Sequence, residues 1–187
     1  MSARLLALAA STRADSLNKQ LLALAVEQAT AGGATVTTLD YAACDAPLYQ
    51  GGAGVQLPPG AVRLSEALRA HDGLLLASPE YNWSIPGALK NLIDWLSVDP
   101  AAPLRGRTAL LMCASPSTRG GITGLQQLVV PLSHLGMIIY PHLIGIGKAD
   151  VQLGSATLTQ EKDAAFLRQC VTDFVRITAA LKQATHA

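Results

Sequence analysis

Apolar residues fall in short unbroken runs along this chain, and between the runs they recur at helical spacing. Residues 4–10, 73–77 and 108–114 are such runs, each followed by a polar loop, and they read as buried strands. The β-rich run at 34–39 and residues 137–140 supply two more. Leu17, Leu21 and Leu24 share one face of a helix over 16–31 that Gly32 and Gly33 end. A second helix, 61–70, turns Val62, Leu64 and Leu68 inward. In a third, 86–97, Leu89, Leu92, Ile93 and Leu96 face the core, with Ser84 as N-cap and Pro86 in the first turn. Residues 122–136 form a fourth, where Pro131 removes one backbone bond and predicts a kink. Thr159 caps a final helix that buries Phe166, Cys170, Phe174, Ile177 and Leu181. Residues 44–59, 99–106 and 142–155 carry Pro or Gly and read as loops.

Five strands alternating with five helices imply a parallel sheet covered on both faces. The expected architecture is a flavodoxin-like three-layer α/β/α sandwich, strand order 2-1-3-4-5, with residues 1–187 as one domain. Composition narrows the function. Half of the 187 residues are hydrophobic, and the formal net charge is +1, which gives no electrostatic case for nucleic acid or an anionic membrane. Cys44, Cys113 and Cys170 are dispersed and odd in number, as free thiols in a reducing cytoplasm would be. No apolar run reaches transmembrane length, and the apolar stretch after Arg4 reads as a first strand rather than a signal peptide.

The chemistry lies in the polar loops that follow strands. Ser11, Arg13, Ser16 and Asn18 lead from the first strand into a helix N-terminus. Unpaired backbone N–H groups, hydroxyls and a guanidinium there suit a phosphate monoester. The loop has no GxGxxG, and no GK[ST] occurs in the chain, which disfavours dinucleotide and nucleoside-triphosphate folds. Pro79, Glu80, Tyr81, Asn82, Trp83 and Ser84 follow the third strand and can present backbone groups to a planar, polar-edged ligand. In order 2-1-3-4-5 these two loops flank the topological switch point. Phosphate on one side and a planar heterocycle on the other match FMN. His71, His134, His142 and His186 lack metal-ligand spacing, so no metal site is expected. Glu80 and Asp94 do not form a catalytic carboxylate pair, Lys90 and Asp94 read as a surface pair, and Ser11 lacks the G-x-S-x-G context of a hydrolase.

At these residues the chain resembles the NADPH-dependent FMN reductase family, which includes quinone, chromate and azo-dye reductases. The SxRxxSxN pattern is carried by Ser11, Arg13, Ser16 and Asn18, and the PEYNxSIPGxLKNxIDWLS pattern runs from Pro79 through Ser97. The resemblance implies that Ser11, Arg13, Ser16, Leu17 and Asn18 hold the FMN phosphate. It implies that Pro79, Glu80, Tyr81 and Asn82 line the isoalloxazine, with Ser115 approaching from the third loop. Trp83 shapes the pocket or packs at a dimer contact. A homodimer or dimer of dimers is implied, with hydride passing from NADPH or NADH to the flavin and two electrons then to a small-molecule acceptor. No catalytic side chain is named. Two departures stand out: Ala10 replaces a frequent Gly, and Val129-Val130-Pro131 replaces an Arg-Gln pair linked to tetramer packing. A flavin-binding electron carrier or sensor without NAD(P)H activity, and a flavin-free interaction module, are the competing readings.

Overall fold

The computed structural model describes residues 2–52, 54–153 and 157–185. In chain order the elements are β1 (Arg4–Ala9), α1 (Leu17–Ala31), β2 (Thr35–Leu39), a 3-10 turn (Tyr41–Cys44), α2 (Pro59–Arg69), β3 (Gly73–Ala77), α3 (Gly87–Ser97), β4 (Thr108–Ala114), α4 (Ile122–His134), β5 (Ile138–Ile139), β6 (Ile144–Ile146), α5 (Ala149–Gln152) and α6 (Glu161–Thr185). The sheet is parallel, in the order β2-β1-β3-β4-β5, a flavodoxin-like arrangement. β3 and β4 are buried along their whole length because helices cover both faces, which is why they read as continuous apolar runs. Side chains alternate across the sheet. Leu5, Ala7, Leu75, Leu110 and Met112 pack with α1 and α6. Leu6, Leu8, Leu74, Leu76 and Leu111 pack with α2, α3 and α4. Among the described residues, no helix is long and apolar enough to cross a membrane.

The fifth strand position differs from the sequence expectation. β5 pairs only Ile138 and Ile139 with Thr108 and Ala109. The chain then leaves the ladder at Pro141, which has no N–H to donate, and returns as β6 against Met112, Cys113 and Ala114. Residues 144–146, expected to be irregular, thus pair with the far half of β4. Four further expectations are corrected. Val62 is exposed, since α2 buries Gly60, Ala61, Leu64, Ser65 and Leu68. Pro86, not Ser84, precedes α3 as its N-cap. In α6 the Gln160 carbonyl accepts from Ala164 N at 3.0 Å, which places the cap one residue after Thr159. That helix buries Leu167, Cys170, Val171, Phe174, Val175 and Thr178, whereas Phe166, Ile177 and Leu181 are exposed.

The start of the chain is tied to its last helix through Asp72, just before β3. Its Oδ2 accepts from Lys182 Nζ at 2.8 Å and from the Arg4 N–H at 2.8 Å. Burial pushes the Asp72 carboxyl up, but the bonds and charges of Lys182 and Arg4 outweigh it, so its pKa lies below the ordinary carboxylate value. A carboxyl depressed on folding stabilises fully above its unfolded pKa, about 3.9, and loses that contribution as pH falls through the folded value. Asp72→Asn is expected to lower Tm at pH 7 and to flatten the fall of Tm below about pH 4. Acid titration followed by circular dichroism checks this, and identical Tm–pH curves for variant and wild type contradict it.

Candidate functional site

The loops after β1, β3 and β4 meet at the carboxyl end of the sheet around a cavity of about 360 Å³. Its wall includes Ser11, Arg13, Ser16, Leu17, Asn18, Pro79, Glu80, Tyr81 and Ser115, nine of the eleven residues singled out from sequence. Asn82 and Trp83 lie off this wall. Two larger hollows, of about 580 and 630 Å³, sit elsewhere, one between α1 and β2 and the other against Tyr140 and α6. Volume alone therefore does not pick the site. What picks it is a helix N-terminus with converging hydroxyls at the switch point of the sheet.

Of the two long helices α1 and α4, which both start near this crevice, only one leaves its positive end open. At α4 the Glu80 carboxylate accepts from Gly124 N at 2.6 Å, and no acidic residue of the helix itself lies in its first turn. Glu80 thus neutralises the N-terminus of α4. The Glu80 carboxylate is thus turned to α4, while Glu80 itself stays on the cavity wall. At α1 the cap is Ser16, whose hydroxyl accepts from Lys19 N at 3.4 Å and keeps its own proton free to donate. Ser11 is buried, and its N–H already bonds Ala9 O at 2.7 Å, so it offers its hydroxyl. The N-terminus of α1 is the end left open to an anion.

The side-chain amide of Asn18 is engaged within the fold. The residue is 4% exposed, its Nδ2 donates to Ala114 O at 3.0 Å, and its Oδ1 accepts from Ala114 N at 3.0 Å. The side chain bolts the first turn of α1 to the end of β4, which leaves the backbone N–H of Asn18, rather than its amide group, available to an anion. Arg13 makes a paired contact with Asp15, from Nε to Oδ1 at 3.0 Å and from Nη2 to Oδ2 at 2.8 Å. The bond and charge of Asp15 raise the Arg13 pKa, and those of Arg13 lower that of Asp15. Asp15 and Asp150 both line the cavity, and sequence reasoning assigned a role to neither. Asp15 sat inside the loop already singled out, while nothing near Asp150 in sequence marks it. Ser115 closes a small turn by accepting from Ser117 N at 3.2 Å.

The loop after β3 is a two-residue hairpin. Tyr81 N bonds Ser84 O at 3.1 Å, and Ser84 N bonds Tyr81 O at 3.0 Å. Its central residues both have left-handed backbones, Asn82 at φ 51° and Trp83 at φ 65°. Trp83 projects outward, 56% exposed, with the Arg119 guanidinium 4.6 Å from its ring centre. Arg119 is therefore ordered against an aromatic face. Cys113 is buried below Glu80, and burial pushes its thiol up to about 12, which makes it an inert packing group rather than a nucleophile.

The arrangement fits FMN by the chemistry of its donors. Ser11, Ser16, Arg13 and the first N–H groups of α1 suit a phosphate, and the Pro79–Tyr81 wall faces the remaining space. Comparisons with known proteins agree. A family model described as NADPH-dependent FMN reductase matches residues 3–150, which spans every loop of the site. Quinone reductase of Escherichia coli (strain K12) is 39% identical over 119 residues, 59% of this chain and 62% of that protein. The chain thus aligns with less than two thirds of that relative's length. Probable NADPH:quinone oxidoreductase 2 of Oryza sativa subsp. japonica is 35% identical over 145 residues, covering 75% of this chain and 68% of the relative. Among solved structures, FerB, a flavoenzyme NAD(P)H:(acceptor) oxidoreductase from Paracoccus denitrificans, superposes with a TM-score of 0.79 at 26% identity, covering 95% of this chain and 98% of that one.

Proposed function

This chain belongs to the NADPH-dependent FMN reductase family, and on that premise we propose that it is an FMN-dependent NAD(P)H oxidoreductase reducing a small-molecule acceptor of the quinone type. The observation that carries the reading is the open N-terminus of α1, with Ser11, Arg13 and Ser16 on the same cavity as Pro79, Tyr81 and Ser115. FMN, when bound, supplies the two-electron redox centre. The protein binds and orients it. Ser11 and Ser16 hydroxyls, Arg13 and the first-turn N–H groups hold the phosphate. The backbone of Pro79, Glu80 and Tyr81 and the Ser115 loop line the ring. The acceptor class rests on the names of the quinone-reducing relatives.

The chain works as one domain and as a homodimer in this reading. The exposed apolar side chains of Leu48, Trp83 and Val130 support a second copy as partner. The three buried free thiols support a reducing, cytoplasmic setting.

Ser16→Asp tests the phosphate seat without disturbing the helix, because aspartate is as good an N-cap as serine. It places a negative charge where the FMN phosphate sits. FMN affinity is expected to fall at least about tenfold, or about 1.4 kcal/mol, with riboflavin affinity within about twofold of wild type. Fluorescence titration with both flavins reads the difference. Equal losses for the two flavins, or none for FMN, place the phosphate elsewhere.

A further inference from the structure

We propose that Gln127 is a positioning residue for the flavin ring, acting by holding the Tyr81–Ser84 turn in a conformation that its own residues disfavour. The inference rests on the FMN reading above. The turn needs two consecutive left-handed residues. Glycine adopts that backbone freely and asparagine does so readily, but a bulky residue such as Trp83 resists it. Something outside the turn must therefore over-determine it.

Gln127, on the exposed side of α4, does so with both ends of its amide. Its Nε2 donates to Trp83 O at 2.7 Å, and its Oε1 accepts from Ser84 Oγ at 2.6 Å. Earlier along the same loop, α4 also grips Glu80, whose Oε2 accepts from Gly124 N. One helix thus clamps both sides of Tyr81, whose neighbours Pro79 and Glu80 share the cavity wall with it. Arg119 lies over the Trp83 ring and closes the outer side. An Asn-Gly pair would make this turn unaided. The chain instead keeps a strained Asn-Trp pair and a clamp, an arrangement that fixes where the Tyr81 backbone and ring point.

The test pairs Gln127→Leu, which removes both bonds, with Ser84→Ala, which removes one. Riboflavin and FMN dissociation constants, the absorbance maxima of the bound flavin, and Tm are the readouts. Gln127→Leu is expected to raise the FMN dissociation constant about tenfold and to shift the bound-flavin spectrum, since misplaced positioning groups carry costs of this order or more. Tm should stay within a few degrees, because the lost bonds lie at the surface. Trp83→Gly in the Gln127→Leu background creates the Asn-Gly pair that the turn prefers and should restore most of the FMN affinity. Unchanged flavin affinity in Gln127→Leu overturns the proposal. So does a loss that Trp83→Gly fails to repair, since Gln127 would then act by another route. Wild-type protein that takes up no FMN at all would overturn the functional reading itself, and this outcome is separated from the others because it appears before any variant is made.

Discussion

Gly121→Ala is expected to destabilise the protein by about 3 kcal/mol and to loosen the flavin wall at the same time. Two costs add. Gly121 is the N-cap of α4 with φ 71°, a conformation that costs an L residue roughly 1–2 kcal/mol. An added methyl would also run into Cys113 Sγ on β4 and approach Glu80 Cβ to 3.3 Å. Cys113 is fully buried and cannot swing away, so overpacking adds about 1–3 kcal/mol. Chemical denaturation measures the loss. Combining Gly121→Ala with Cys113→Ala should recover part of it, because the clash disappears and the backbone cost stays. Strictly additive losses in the double variant contradict the contact. Since Glu80 follows Pro79 on the cavity wall, pushing Glu80 aside should also weaken FMN binding.

Asn18→Ala should destabilise by about 2–3 kcal/mol, because it strands the N–H and C=O of Ala114, a buried residue, without partners. The same change frees the first turn of α1 from β4, so the anion seat loses its fixed relation to the Ser115 loop. FMN affinity should fall together with stability. Asn18→Asp separates the two contributions. Its carboxylate can still accept from Ala114 N, but it faces the Ala114 carbonyl and places charge next to the phosphate, so FMN binding should suffer more than in Asn18→Ala. Urea midpoints and flavin titrations on the pair decide it. An alanine variant as stable as wild type would show that the Asn18–Ala114 pair contributes little.

Much of the fold could be read from sequence because its central strands are sandwiched. β1, β3 and β4 are buried on both faces, and their apolar runs stand out against the helical spacing around them. β6 escaped notice because it is three residues long with Gly145 in the middle. That glycine serves a close approach: an added Cβ there would lie 3.0 Å from Gly120 O. The buried stripe of α6 was misplaced because apolar residues occupy more than one face, and packing against the sheet selects Leu167 and Val171 over Phe166 and Ile177. The residue types of the site were legible because each loop carries its chemistry locally: hydroxyls and an Arg before α1, a Pro-rich turn before α3. What those side chains do with partners was not. The bonds of Asn18 to Ala114, Glu80 to Gly124 and Gln127 to the Trp83 turn join residues 43 or more positions apart, and no local pattern announces them.

The most direct test of the oxidoreductase function is an anaerobic absorbance spectrum of the purified protein with FMN, recorded before and after NADPH. An oxidised-flavin band at about 450 nm is expected to stay with the protein through desalting and to bleach within seconds of adding NADPH or NADH. A protein that retains no flavin would contradict the site. A bound flavin that neither donor bleaches would contradict the oxidoreductase function and leave a flavin-binding carrier in its place.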